Sequence, residues 1–180
     1  ANGKIDGAYR DREQALQLTH DLRLETERLA RLVRAYTTTA DPRYLLFYYD
    51  ILDIRNGNKP LPAGISASLY WDEVIAGKRN HALPPDGRKI SLAQRLSNIG
   101  GSAEEMSVLM RFQYITEQMN RLEQVAFAAT QGLYDKKTRQ FVSDGEPDLK
   151  FAASLVHGKE YSQLEAQLSQ AVVDLITVMN

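Results

Sequence analysis

Apolar residues recur every three or four positions over three long stretches of this chain, and that period leaves few folds open. From about Arg10 to Thr39 the seam is Ala15, Leu18, Leu22, Leu29, Leu32 and Tyr36, with Glu25 at the one seam position that breaks it. From about Ala103 to Tyr134 it is Val108, Phe112, Ile115, Met119, Leu122, Ala126, Ala129 and Leu133. From about Lys159 to Met179 it is Tyr161, Leu164, Leu168, Ala171, Leu175 and Val178. The first stretch would be about 45 Å long as a helix. Helices of that length sharing a 3.5-residue repeat pack at shallow angles with a left-handed twist. The pattern predicts an all-α protein: an elongated, antiparallel helical bundle in one domain. Glu25 reads as solvent-facing, with a register device or a dimer contact as its other reading.

The region between the first two stretches follows different rules. Asp41-Pro42 is a strong helix start, Asp as N-cap and Pro at the first helical position. The helix that follows, Pro42 to Asn56, is apolar nearly all round and calls for enclosure by other elements. Gly57 ends it, and Lys59-Pro60-Leu61-Pro62 is an extended link. Short helices are expected around Ser66–Ile75 and Ser91–Asn98, joined by a connection rich in Gly and Pro. Gly100-Gly101 marks a turn, and Ser102 with Glu105 forms a capping box for the long helix beyond it. After Tyr134 a polar hairpin-like loop, Asp135 to Gly145, is expected, with Gln140 to Ser143 as its extended piece. Pro147 opens a further short helix that ends near His157-Gly158.

Composition removes several function classes. The 180 residues carry a net charge of −1, so no basic field draws the chain to nucleic acid. With no cysteine there is no disulfide scaffold, thiolate metal site or cysteine nucleophile. No stretch is long and apolar enough to span a bilayer; Ala171 to Met179 is short and broken by Asp174. The opening run Ala1-Asn2-Gly3-Lys4 reads as an arbitrary cut. A soluble piece between two membrane helices would begin so, as would a cytosolic domain.

The motifs for chemistry are few. Thr19-His20-Asp21-Leu22-Arg23 resembles the phospho-accepting box of histidine kinases, but Glu25 stands where that box has a proline. It reads as an exposed histidine on a long helix. His81 and His157 are far apart and lack partners at metal-site spacing. There is no glycine-rich nucleotide loop and no nucleophile elbow. No metal, cofactor or catalytic residue is expected. The informative cluster lies in the insert, at about 42–98. Arg43, Tyr44, Tyr48, Arg55, Tyr70, Trp71 and Asp72 combine rings bearing polar tips with a few charges, the composition of a small-molecule pocket. In such a pocket Arg55 pairs with an anion, the tyrosines hydrogen-bond and Trp71 forms an apolar wall. The rival reading makes the chain a structural or protein-interaction bundle whose aromatics only pack a capping subdomain.

The runs Ala40-Asp41-Pro42-Arg43-Tyr44, Tyr48 through Gly57, Pro60 with Pro62, and Tyr70-Trp71-Asp72 resemble a sensor module of bacterial membrane receptors. That module precedes histidine kinases, diguanylate cyclases and methyl-accepting chemotaxis proteins. Leu22-Arg23 with Leu29 and Arg34-Ala35-Tyr36 resemble its first helix. Leu122 to Ala126 with Gly132 to Asp135 resemble its later long helix, and Phe151 to Tyr161 its closing segment. Ala40 stands where a glycine is common, and Phe127-Ala128 where a Met-Asn pair is expected. The resemblance implies a periplasmic domain between two membrane spans of an inner-membrane receptor, a histidine kinase foremost. It implies a homodimer along the first helix. The signal would be a small solute or a periplasmic binding protein, received near the insert and away from the membrane.

Overall fold

The computed structural model describes residues 2–180, and the side chains of 9–180; Ala1 of the opening run lies outside the described residues. Four columns of helix make the bundle. The helix α1 (Asn2–Thr39) runs up the first. Its start lies well before Arg10, because nothing in residues 2–9 ends a helix even though the apolar seam begins only at Ala15.

At the far pole the chain reverses within two residues. Ala40 takes a left-handed φ of 57°, and the Asp41 side chain accepts from the Arg43 N–H at 3.0 Å. Pro42, which has no N–H, occupies the first turn of α2 (Pro42–Arg55). This tight turn sends α2 straight back down beside α1. The insert therefore does not cap the far pole; it supplies the second column.

That column is broken into pieces. Below α2, Gly57 sits at φ +80° with its Cα so near the 90–91 backbone that an added Cβ would lie 2.9 Å from the Ser91 nitrogen. Asn56 and Ser91 form a single antiparallel bridge there. The helix α3 (Ala67–Ile75) packs outside α1 and α2, capped by Ser66. The short α4 (Leu92–Asn98), capped by Ser91, turns its Leu92 and Leu96 into the core.

The third column is α5 (Ala103–Gln131), which opens on the expected Ser102–Glu105 capping box. It ends at Gly132, three residues before the Asp135 loop, in a left-handed C-cap with φ 76°. An added Cβ at Gly132 would lie 2.7 Å from the Gly145 carbonyl, so the close return of the hairpin also requires glycine. Two-residue strands β1 (Tyr134–Asp135) and β2 (Gln140–Phe141) pair antiparallel in that hairpin. Then α6 (Leu149–His157), capped by Asp148 rather than started by Pro147, leads into α7 (Lys159–Met179), the fourth column.

Contacts along the columns fix their directions. Gln131 Nε2 donates to the Tyr36 hydroxyl at 2.9 Å at the far pole. Arg12 Nε donates to the Met179 carbonyl at 2.5 Å at the near pole, and Arg111 pairs with Asp174 above it. Hence α1 and α5 run one way, and α2 and α7 the other. The core is one continuous cluster from Ala15 and Met179 to Val33, Phe127 and Ala152. Among the described residues no helix is long and apolar enough to cross a membrane.

Candidate ligand site

Although the interior is mostly apolar, one carboxylate stands in it. Glu123 is 5% exposed, and two tyrosines from two other columns converge on it. Tyr48 of α2 donates to Oε1 at 2.6 Å, and Tyr161 of α7 donates to Oε2 at 2.6 Å. Asn120 Nδ2 donates in turn to the Tyr48 hydroxyl at 3.0 Å. Burial pushes the Glu123 carboxyl above its ordinary range, against the pull of the two hydroxyl donors and of Arg55. Burial and the adjacent carboxylate push both tyrosine hydroxyls up as well. The result is a fully partnered hydrogen-bond network tying three columns together at mid-height.

Two turns below Tyr48 on α2, Arg55 is 8% exposed. Its Nε donates to Glu25 Oε2 of α1 at 2.8 Å, and its guanidinium carbon lies 5.3 Å from the centre of the Phe112 ring. Glu25 thus faces α2 rather than solvent. The Arg55 Nη2 is buried and has no hydrogen-bond partner. A buried donor left unmade costs about 1–3 kcal/mol, and such groups call for an explanation.

Arg55 belongs to the walls of two spaces. The inner one, about 30 Å³, lies among Tyr48, Glu123, Tyr161 and Leu168, large enough for a water molecule. The outer one is a cleft of about 620 Å³ between the end of α2 and the middle of α5. Asn56, Gln113, Glu117, Asn120 and Arg121 line the outer cleft alone. Leu52, Arg55 and Thr116 belong to both walls, so they form the partition between chamber and cleft. The outer volume is in the range of small-molecule sites.

The residues expected to form one pocket fall into four places. Tyr48 and Arg55 belong to the network and cleft just described. Tyr44 and Asp72 line a separate groove of about 330 Å³ on the other side of α1, beside Arg28 and Arg31. There Arg28, 4% exposed, donates to Asp72 Oδ1 at 2.9 Å and to Ser68 Oγ at 3.1 Å, while its Nε has no partner. Tyr70 and Trp71, both 3% exposed, are packing residues. Arg43 stands at the surface and holds its own helix cap, Nη2 to Asp41 Oδ2 at 2.7 Å. That contact keeps the Asp41 carboxyl below its usual range.

Around Tyr70 and Trp71 the structure assembles a cluster that residue spacing offers no reason to expect. His81 Nε2 lies 2.5 Å from Asp50 Oδ2, and His81 Nδ1 lies 2.7 Å from the Tyr70 hydroxyl. The Tyr70 oxygen accepts the Ala82 N–H at 2.9 Å, so its own proton is free to go to Nδ1. Nε2–H then donates to Asp50, which also pairs with Lys59. The Lys59 ammonium is held above its ordinary range, chiefly by that hydrogen bond. The imidazole packs on Trp71 and Phe47 with ring centres 5.0 and 5.6 Å apart. The polar side-chain tips of His81, Asp50, Tyr70 and Lys59 all have partners, and their effect is to staple the 77–90 loop and the Lys59 link onto α2. His20 is exposed, as its place on a long helix implies, with Arg23 Nη2 2.9 Å from its Nδ1.

Sequence reasoning misses Glu123, Asn120 and Tyr161 as site residues. The apolar seam counts through Leu122, whereas the buried position is Glu123, one residue on. The available signal is the run Ala126-Phe127-Ala128-Ala129-Thr130, with no charged residue on any face; in the structure all five are buried. A helix buried that widely has a core face broader than a two-position seam, and Glu123 falls inside it. Among the described residues no group of His, Cys, Asp and Glu could hold a metal ion. In comparisons with protein-family models, curated proteins and solved structures, nothing matches the chain.

Proposed function

We propose that this chain is the periplasmic ligand-sensing domain of a transmembrane signal-transduction receptor, with a sensor histidine kinase as the first candidate for its parent. The observation that carries the reading is Arg55: a buried cation with an unpartnered nitrogen, in the wall of a ligand-sized cleft, bonded to α1 and two turns from Tyr48 of the Glu123 network. A solute held there touches both α2 and α5. It adjoins hydrogen bonds that reach α1 through Glu25 and α7 through Glu123 and Tyr161. Binding that favours one spacing of these columns over another shifts the equilibrium between them by its differential affinity alone. The ends of α1 and α7 meet at one pole, which supports a domain flanked by two neighbouring membrane spans. A homodimer along α1 belongs to the same proposal.

The test is a thermal-shift screen of chemically diverse small solutes against the wild type, Arg55→Gln and Arg43→Ala. Stabilisation is expected in the wild type and in Arg43→Ala, and its loss in Arg55→Gln. Failure of every solute to stabilise the wild type refutes direct sensing. The second reading, an interaction bundle without a small-molecule site, draws on the burial of Tyr70 and Trp71 and the full partnering of the His81 cluster. A protein partner that binds while all solutes fail would favour it.

A further inference from the structure

We infer that the α2–α5 cleft takes a small organic carboxylate of single negative charge, with Arg55 as its buried charge contact and Arg121 at its rim. This inference rests on the sensor reading above and names the class of solute.

The lining is rich in donors. Arg55, Arg121, Asn56, Gln113 and Asn120 all offer N–H groups, against the single carboxylate of Glu117. Leu52 is the one large apolar side chain in the wall, so an apolar solute has little to replace water with. A cation would meet two guanidinium groups. Arg55 presents a planar fork of which Glu25 takes only Nε, at 2.8 Å, leaving the adjacent Nη2 orphaned. A carboxylate is the group whose geometry and charge match that enclosed donor, which it reaches from the cleft when the Leu52–Thr116 partition yields. Binding then removes an unsatisfied buried donor as well as forming an ion pair.

The charge of the ligand is limited by the same elements. The helix that brings Arg55 to the cleft does so with its C-terminal turn, where backbone carbonyls carry partial negative charge. No helix N-terminus and no glycine-rich loop is among the residues lining the cleft to offset a dianion. Glu117 and Glu25 add further negative charge nearby. These features select a monocarboxylate over inorganic phosphate. The amides of Gln113 and Asn120 suit a hydroxyl or carbonyl substituent next to the carboxylate, and the Thr116 oxygen, whose proton goes to the Phe112 carbonyl, can accept from a hydroxyl. The same Asn120 holds the Tyr48 hydroxyl, so a ligand that draws on Asn120 acts directly on the Glu123 network.

The experiment titrates the protein with glycolate, L-lactate and 3-hydroxybutyrate, with lactamide as the uncharged counterpart and inorganic phosphate as the compact anion. Calorimetry and thermal shift are read together, within a broader panel of neutral and cationic solutes. At least one monocarboxylate is expected to bind, with lactamide and phosphate inert. Arg55→Gln is expected to weaken binding by about thirtyfold or more, as for truncation of one partner of a buried charge pair. Arg121→Gln, at an exposed position and harmless to folding, is expected to weaken it by about two- to fivefold. It keeps the test open should Arg55→Gln fail to fold. Equal binding by lactamide or phosphate, or wild-type affinity in both variants, overturns the assignment. Binding of a neutral or cationic solute alone overturns the carboxylate class and leaves the sensor reading standing. No binding by any solute overturns both.

Discussion

Removing the Glu123 network piece by piece should cost more than removing it whole. In Tyr161→Phe, Glu123 Oε2 loses its 2.6 Å donor at a site where Tyr161 is fully buried. A hydrogen bond to a charged group is worth about 1.5–3 kcal/mol. The chamber of about 30 Å³ next to it can admit a water, which places the expected loss near the lower end. A loss of about 2 kcal/mol lowers Tm by about 4–8 °C in a chain of this size. Tyr48→Phe should cost a similar amount, because it removes the donor to Oε1. Glu123→Leu leaves two buried hydroxyls with no acceptor, at about 1–3 kcal/mol each. The triple variant removes every buried member at nearly constant volume. Asn120, half-buried, can turn to solvent. Replacing a buried polar set by apolar groups of similar shape costs less than about 1.5 kcal/mol and can stabilise. The assay is guanidinium unfolding followed by far-UV circular dichroism for the three singles and the triple. A triple variant whose loss equals the sum of the singles would refute the account of these groups as one coupled network.

Glu123 also sets a pH dependence. Its folded-state pKa is raised, so the folded chain keeps a proton that the unfolded chain has already released. Its contribution to stability is full below the ordinary carboxylate range and is lost as pH rises through the folded pKa. Glu123→Gln cannot ionise, so its stability curve should be flatter across that window; parallel curves from pH-resolved denaturation would count against the assignment. Ser102→Ala breaks the capping box of α5 and should cost about 1 kcal/mol, read as a Tm about 2–4 °C lower. Gly132→Ala forces a left-handed φ and drives a Cβ against the Gly145 carbonyl, so it should cost more than about 1–2 kcal/mol and speed proteolysis in the 136–145 loop. Arg43→Ala removes only an exposed pair and should stay within about 0.5 kcal/mol of wild type, while Asp41→Ala loses the α2 cap and about 1 kcal/mol, both from chemical denaturation.

Capping and period are legible in the amino-acid sequence alone. Asp41-Pro42, Ser66, Ser91 and Ser102 each start a helix where local chemistry puts one, because a cap is satisfied within three residues of itself. The seam of the first long helix reads correctly for the same local reason, and that of the last does so through Leu175, beyond which Met179 rather than Val178 is buried. The α5 seam drifts: Val108 and Leu122 are half-buried, while Leu109 and Glu123 hold the buried positions. Which of two adjacent residues faces inward depends on the neighbours around the helix, and α5 is enclosed on several sides near its end.

The candidate site shows the same division. Arg55 and Tyr48 stand out as polar groups on an almost wholly apolar helix. That Arg55 meets Glu25, and Tyr48 meets Glu123 across 75 residues of sequence, is a matter of which columns adjoin. Sequence groups Tyr44, Tyr70, Trp71 and Asp72 with them because all lie within about thirty residues. The link beyond Gly57 carries α3 to the Arg28 face of α1, away from Arg55 and Tyr48, and Tyr44, though on the same helix as those two, lines the Arg28 groove as well. By itself the sequence determined the helices, their caps and the all-α class, since these follow from propensity and period over a few residues. Only the tertiary structure decided which buried polar groups meet, because burial of charge is satisfied by partners from distant segments, and no local signal records who those partners are.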